Sequence, residues 1–290
     1  MRLFLPILGA FLVAACAPVA DDVAATVPPA DAAPAILLDM ERSTPAQREA
    51  ARTLLLAEFT EMGIAAELQP YDTGDFPAIR VRGGKALTGA NIAAVVPATT
   101  GSNRHIVLGA HYDTVPGSPG VDDNGSGVQI ALDVARMLVA QPVRDATVHI
   151  MLYDQEELGL VGAQVDAARW KAGTVSLEAM HNIDMIGWDS DDDGVIEFDS
   201  NSEALTALYQ RSIEGLPVSL LVTTYPNTDH EAYRRQGFTV ASISEEFEDG
   251  SQNPAYHQPG DTAVQPVYFN AARTLMQRVF AALVAPRQGE

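Results

Sequence analysis

Short apolar runs and longer amphipathic segments alternate along this chain. Ser43 or Thr44 can cap a helix that has Pro45 in its first turn and runs toward Gly63. Because helices alternate with apolar strands, the pattern predicts an α/β domain in which a mostly parallel, twisted sheet is sandwiched between helices. Further helices are predicted at 128–139, 160–171, 203–213, 229–236 and 268–284, and strands at 66–71, 78–81 and 91–96 and at the apolar runs that end near 111, 153, 183 and 244.

The first residues are typical of an exported bacterial protein. Met1 and Arg2 precede LFLPILGAFLVAA, an apolar run too short to span a bilayer comfortably. The sequence Val-Ala-Ala-Cys at 13–16 resembles a lipobox, in which Cys16 becomes the lipidated first residue of the mature protein. Ala17, rather than Asp, follows the cysteine, which favours anchoring in the outer membrane, facing the periplasm. An ordinary signal peptide with an incidental cysteine is the alternative.

Composition sets the domain organisation and narrows the partners. Residues 17–35 are rich in Ala, Pro and Asp without periodicity and read as a flexible tether, which leaves 36–290 as a single domain. Cys16 is the only cysteine, so core packing rather than a disulfide must stabilise the fold. The formal net charge of −20 argues against a nucleic-acid ligand. We expect a monomer attached to the membrane only through its lipid.

Acidic and imidazole side chains follow the apolar runs, at the positions where strands end. Because the carboxyl ends of parallel strands meet at one edge of a sheet, these side chains are expected to converge. Imidazole and carboxylate together suit Zn²⁺ or a related metal. Each residue taken alone is also typical of a turn, a helix cap or the first turn of a helix. The metal site is therefore predicted from the whole set rather than from any single residue. The members are His111, Asp122, Asp123, Asp154, Glu156, Glu157, Asp184 and His257.

Six sequence blocks in order carry a family resemblance. They are GAHYDTV, GVDDNGSG, YDQEELGLVGA, NIDMIG, TDHEAYRRQGF and YHQPGDT, spread from Gly109 to Thr262. Together they resemble the co-catalytic zinc aminopeptidases of the bacterial leucyl aminopeptidase type, in a superfamily that also holds glutaminyl cyclases and glutamate carboxypeptidases. The resemblance implies a zinc exopeptidase-like fold of the phosphorylase/hydrolase type. It also implies two zinc ions and hydrolysis of the amino-terminal residue of peptides.

The resemblance also implies a role for each matching residue. His111 and Asp184 would hold one zinc, Glu157 and His257 the other, and Asp122 would bridge them. Glu156 would be the general base. Asp113 would orient the imidazole of His111, and Asp123 would form a cis peptide with Asp122. Tyr256 would donate a hydrogen bond to the oxyanion. Asp261 would brace the loop of His257. His230 would be structural, with Thr228 in place of the family's usual Ser.

Other functions on the same fold stay open at this stage. A glutaminyl cyclase typically uses one zinc and lacks the first ligand His, whereas this chain has His111. A catalytically inactive binding module would have lost ligands or the base. Linear di-zinc deacylases need a lid insertion of about a hundred residues, for which the chain has little room. The predicted substrate of an aminopeptidase is a peptide with a free amino terminus and an apolar first residue. The side chain of that residue would need an apolar pocket, and the candidates to line it are Met185, Tyr225, Phe247 and Tyr256.

The segment WDSDDDGVIEF, from Asp189 to Asp199, predicts a calcium site outside the zinc centre. Asp189, Asp191 and Asp193 alternate before Gly194, as in the first part of an EF-hand loop. Ser200 stands where the bidentate Glu belongs, so Glu197 or Asp199 would have to supply the missing oxygen. A solvated acidic turn is the alternative.

Overall fold

Eight strands form one sheet in the computed structural model, which describes residues 35–247 and 252–287. The four central strands are parallel to one another, β2 and β6 run antiparallel to them, and the order across the sheet is β1-β2-β4-β3-β5-β8-β6-β7. The predicted α/β class is therefore confirmed. The strands are β1 (Ala65–Asp72), β2 (Thr88–Val96), β3 (His105–His111), β4 (Thr147–Tyr153), β5 (Leu177–Ile183), β6 (Val195–Ser200), β7 (Ser219–Val222) and β8 (Val240–Ser244).

Helices cover both faces of this sheet. The core on one face includes residues of α1, α2, α4 and α6, and that on the other face residues of α3 and α5. Thr44 caps α1 as predicted, because its hydroxyl accepts from the N–H of Gln47 while the Gln47 side chain accepts from the N–H of Thr44. The helices are α1 (Pro45–Glu61), α2 (Gly127–Ala140), α3 (Val161–Ala172), α4 (Glu203–Ser212), α5 (His230–Arg235) and α6 (Pro266–Val284).

The strand predicted at 78–81 is wrong, since this segment is a loop. Its apolar side chains, Ile79 and Val81, pack against α3 instead of joining the sheet. The side chain of Gln164 accepts from the N–H of Arg80 and donates to its carbonyl, at 3.0 and 2.8 Å. These bonds satisfy backbone groups that a neighbouring strand would otherwise have paired.

The topology places a crevice at the carboxyl edge of the central strands. From β3 the chain moves to β4 on one side, whereas from β5 it moves toward β6 on the other. The direction therefore reverses between β3 and β5, and open α/β sheets bind ligands at such a point. His111 ends β3 and Asp184 follows β5, so both lie at this crevice.

Among the helices within 35–247 and 252–287, none combines the length and apolar character needed to cross a membrane. The predicted signal peptide, the lipidation site at Cys16 and the tether up to residue 34 lie outside the described residues.

Candidate active site

One group of candidate metal ligands is centred on His111. Its Nε2 atom lies 3.2 Å from an oxygen of Asp123 and 3.2 Å from an oxygen of Asp184. All three side chains are buried. Asp123 comes from the turn at 121–126, and Asp184 directly follows β5.

A second group is centred on His257, whose Nε2 atom lies 3.1 Å from Asp123 Oδ2 and 3.2 Å from Glu157 Oε2. The first group uses the other oxygen of Asp123. A single carboxylate thus joins two ligand groups, each of which has one imidazole and one further carboxylate. This is the donor arrangement of two metal sites that share a bridging ligand.

Asp123, rather than Asp122, lies between the two groups, so the prediction that Asp122 joins them is wrong. Asp122 points the other way, where one oxygen accepts from the N–H of Gly187 and the other from the amide of Asn253, both at 2.8 Å. The expected cis peptide is likewise displaced by one residue, to Asp123-Asn124. The turn at 121–126 is neither regular helix nor strand, so periodicity does not reveal which of two adjacent carboxylates faces the site.

The donor atoms of both groups fit divalent cations. Nδ1 of His111 lies 3.2 Å from the backbone carbonyl oxygen of Asp113, which can only accept, so Nδ1 carries a proton and Nε2 is the ring nitrogen that faces the two carboxylates. Oε1 of Glu157 is buried and has no hydrogen-bond partner among the described residues. A divalent cation in each group would satisfy these acceptors. Burying so many acceptors together without a cation costs free energy.

The protonation tendencies agree with this fit. Burial, reinforced by the charge of Asp123, raises the pKa of Glu157 to about 7. Although burial lowers the pKa of His257, its hydrogen bonds to Asp123 and Glu157 outweigh that effect and raise the pKa to about 9. Without a cation, protons partly offset the negative charge. Bound metal would displace them, since metal ligands bind in the deprotonated form.

Glu156 lies at the start of a single turn after β4 and faces the same cavity as the ligands. Burial raises its pKa well above the ordinary value, and the negative charges of Asp184 and Asp229 add to this effect. The residue before it, Gln155, has a left-handed backbone with φ 65°, as do Met185 (51°) and His257 (58°). Non-glycine residues in this conformation cluster at functional sites.

Asp113, Asp261 and Tyr256 all lie next to the candidate site. An oxygen of Asp113 is 3.6 Å from Nδ1 of His111. Asp261 accepts from the N–H groups of Asp122 and Asp123 at 2.8 and 3.0 Å, which ties the loop that carries His257 to the turn that carries the bridging residue. The ring of Tyr256 stacks on that of His257, with the centroids 3.7 Å apart.

Arg42, which the sequence did not single out, holds the connection between His111 and Asp123. Its guanidinium is fully buried and donates to four backbone carbonyls, and its backbone N–H donates to the hydroxyl of Thr114. Gly120 must be glycine here, since its φ is 61° and a Cβ would collide with the backbone of Asp123. The four carbonyls belong to Met40, Tyr112, Pro119 and Gly120.

Helix α1 is fixed to the same region by Asp154. The carboxylate of Asp154 is buried, lies 2.7 Å from Nε of Arg48 and 3.3 Å from Nη1 of Arg52, and accepts from the N–H of Ala90. Asp154 is therefore a structural acid rather than a metal ligand. It precedes the turn of Glu156 by two residues and so anchors that turn to α1.

A cavity of about 140 Å³ opens beside the ligand groups. The four residues predicted for a side-chain pocket, Met185, Tyr225, Phe247 and Tyr256, all line it. Glu197, one of the two residues predicted to supply the missing calcium oxygen, lines it as well.

The acidic loop before β6 is only partly as predicted. Carboxylate oxygens of Asp189, Asp191 and Asp193 lie within 4.8 Å of one another, so they remain a predicted calcium site. Glu197 does not join them, because β6 begins at Val195 and the Glu197 side chain is buried in the cavity wall. Asp199 is also excluded, since it accepts from His230 and pairs with Arg234.

The remaining histidines have structural partners. His230 is buried and bonds to Thr228 and Asp199, and His181 bonds to the hydroxyl of Tyr209. His105 and His149 lie 3.0 Å apart and are not among the residues that line the cavity.

Comparison with known proteins matches residues 91–283 to the model for peptidase family M28. Leucine aminopeptidase 1 of Blastomyces gilchristii is 32% identical over 203 residues, which are 62% of this chain and 51% of that protein. The chain thus spans about half the length of the curated relatives it matches.

Two groups of solved structures have the same fold. A zinc aminopeptidase from Bacillus subtilis aligns with a TM-score of 0.62 at 24% identity, covering 71% of this chain and 53% of that one. A glutaminyl cyclase from Porphyromonas gingivalis aligns with a TM-score of 0.69 at 20% identity, covering 84% and 92%. At these identities the likeness shows the fold alone.

Proposed function

Because the chain belongs to peptidase family M28, we propose that it is a metal-dependent aminopeptidase that removes the first residue of peptides with a free amino terminus. The observation that carries the proposal is the position of Asp123, whose two oxygens face two separate imidazole-carboxylate groups. His111, Asp123 and Asp184 would hold one zinc ion. Asp123, Glu157 and His257 would hold the other.

The residues divide the work of peptide hydrolysis among them. When bound, the two metal ions supply a water of lowered pKa and polarise the scissile carbonyl. Glu156 accepts the proton of the attacking water and returns it to the departing amine, a role that suits a cavity-lining carboxyl group with a raised pKa. Tyr256 is proposed to donate its hydroxyl to the developing oxyanion, and its place in the cavity beside His257 supports this role.

Glu156→Gln tests this proposal directly. The amide keeps the shape of the side chain but cannot accept a proton, so turnover of an aminoacyl-nitroanilide should fall at least about 100-fold while two equivalents of metal stay bound. Glu61→Gln, at the exposed end of α1, is the matched control and should leave turnover unchanged. A loss of less than tenfold at full metal content would remove Glu156 from the mechanism.

Glutaminyl cyclisation is the second candidate, because a cyclase structure shares the fold. His111 argues against it, since this residue contributes to the first ligand group and would have no place in a one-zinc site that lacks the first His. Release of ammonia from a glutaminyl peptide, without cleavage of aminoacyl-nitroanilides, would favour the cyclase. An inactive binding module would show neither reaction.

We also propose that the protein is exported and anchored to the cell envelope through a lipid on Cys16, and that it acts as a monomer. The lipobox at 13–16 supports the anchor. Cys16→Ser should move the protein from the membrane fraction to the soluble fraction, and sedimentation of the detergent-extracted protein measures its oligomeric state.

A further inference from the structure

The cavity beside the ligand groups has one charged residue whose role the proposed chemistry does not explain. Among the described residues that line it, Glu197 is the only acid or base apart from the ligands, Glu156 and the two tyrosines, Tyr225 and Tyr256. The remaining wall is apolar or neutral and polar, and it includes Met185, Phe247 and Ser244. A carboxylate placed in such a wall favours a positively charged group and disfavours a negative one.

Strand register fixes how far Glu197 lies from the ligand groups. Glu197 on β6 pairs with Ser244 on β8, and Ile243 on β8 pairs with Ile183 on β5, the residue before Asp184. Neighbouring strands lie about 4.8 Å apart, so two spacings separate the backbones of Glu197 and Asp184 by about 10 Å. The Glu197 side chain belongs to neither group of ligand atoms that lie within 4.8 Å of one another, so a substrate held at those groups meets its carboxylate farther along the cavity.

A long substrate side chain would close this gap. Lysine carries its ammonium on a flexible four-carbon stem, and arginine presents a planar fork of donors. Met185 and Phe247 offer apolar surface for the stem. The stems of lysine and arginine pack on such surface while the charged end reaches a polar partner.

Glu197 is held in position for this contact. Its side chain is 1% exposed, and its Oε1 accepts the N–H of Phe247 at 3.0 Å. A carboxylate has about four acceptor sites, so it can accept from a cationic group in addition to the bonds it already makes within the protein. Exclusion from solvent strengthens such a contact.

We propose that Glu197 selects peptides whose first residue is lysine or arginine. This inference rests on the proposed aminopeptidase function and refines the expected apolar first residue. The apolar wall takes the stem of the side chain, and Glu197 takes its charge. Peptides that begin with an acidic residue are rejected, since the carboxylates repel each other.

The test compares nitroanilides of lysine, arginine, norleucine and glutamate as substrates of the metal-loaded protein. Norleucine has the stem of lysine without the ammonium, so the lysine-to-norleucine ratio of kcat/KM isolates the charge. We expect a ratio of about 10 to 100, the range for a hydrogen bond to a charged group. Glutamate should be the poorest substrate.

Glu197→Gln keeps an oxygen for the N–H of Phe247 but removes the charge, so the ratio should fall to about one. Glu203→Gln, which changes an exposed carboxylate at the start of α4, is the matched control and should keep the wild-type ratio. An equal loss for all substrates in Glu197→Gln would make Glu197 structural and overturn the inference.

The wild-type protein decides the matter even if the variant does not fold. A preference for norleucine over lysine and arginine overturns the selection by Glu197 and leaves the aminopeptidase function intact. Failure to cleave any of the four substrates instead contradicts the proposed function itself.

Discussion

The backbone N–H of Glu156 donates to Oδ1 of Asp113 at 2.9 Å. The other oxygen of Asp113 accepts from the N–H of Glu157 at 3.3 Å. One carboxylate, two residues beyond His111, therefore fixes the turn that carries both the proposed base and a ligand of the second group. Asp113 thus joins the loop after β3 to the turn after β4, at the backbone of Glu156 and Glu157.

Asp113→Asn should weaken both metal binding and turnover. The amide loses one of the two acceptors that hold the turn of Glu156 and Glu157. Partners that orient metal ligands are typically worth about 10- to 100-fold in metal affinity, and we expect a loss in that range. Titration of zinc against a competing chelator measures it, with Asp75→Asn, an exposed carboxylate, as the control. Wild-type affinity and kcat in Asp113→Asn would contradict the coupling.

The neighbours Asp122 and Asp123 should respond differently to the same change. Asp123→Asn removes the shared ligand, so metal content should fall toward zero at both sites. Asp122→Asn should keep both metals but lower the free energy of unfolding by about 1–3 kcal/mol, because an amide cannot accept from both Gly187 and Asn253. Elemental analysis and urea unfolding measure the two effects. The reverse pattern of metal loss would restore Asp122 as the bridge.

Blocking the substrate's amino group should abolish cleavage. The proposed site acts on a free amino terminus at the ligand groups, and an acetyl cap removes both its charge and its access to a metal. We expect at least a 100-fold drop in kcat/KM when a good peptide substrate is acetylated, on the scale of losing a contact to a charged group. Chromatography of the products measures cleavage, with the same peptide amidated at its carboxyl end as the control. Faster cleavage of the acetylated peptide would indicate an endopeptidase or deacylase.

We expect the loop of Asp189, Asp191 and Asp193 to bind calcium, because carboxylate oxygens of all three lie close together. Calorimetry of the zinc-loaded protein should then detect binding at or below millimolar calcium, and the double change Asp191→Ala and Asp193→Ala should remove it. Glu197→Gln is the matched control, because this residue lies in the cavity and should not alter the heat. No heat in the wild-type protein would leave the loop an ordinary acidic turn.

The sequence predicts best where regular structure fixes the direction of a side chain. His111 and Asp184 lie at the ends of apolar strands, and the edge at which parallel strands terminate brings them together. The predicted helices α1, α2, α3, α4, α5 and α6 are confirmed to within about two residues at each end, a normal scatter for helix boundaries. Periodicity predicts best the long helices α1, α2 and α6, each of which buries one side against the sheet.

Prediction fails where irregular backbone decides which way a side chain points. Asp122 and Asp123 are chemically identical, and only the conformation of the turn at 121–126 selects the second one. Glu197 follows an acidic run that resembles a calcium loop, yet the strand that begins at Val195 carries it into the cavity. Arg42 gave no signal at all, since its partners are backbone carbonyls that have no signature in the sequence.

The contacts of Arg42 bear on how this protein could be recombined with its relatives. The family match begins at residue 91, but the guanidinium that grips the His111–Asp123 connection comes from well before it. A chimera with its crossover at residue 91 would replace Arg42 with whatever residue the foreign amino-terminal segment carries, and a segment without the arginine would leave three carbonyls of that connection without their donor. A crossover before Leu38 would transfer arginine and loop together, so the smallest exchangeable catalytic unit is larger than the stretch that identifies the family.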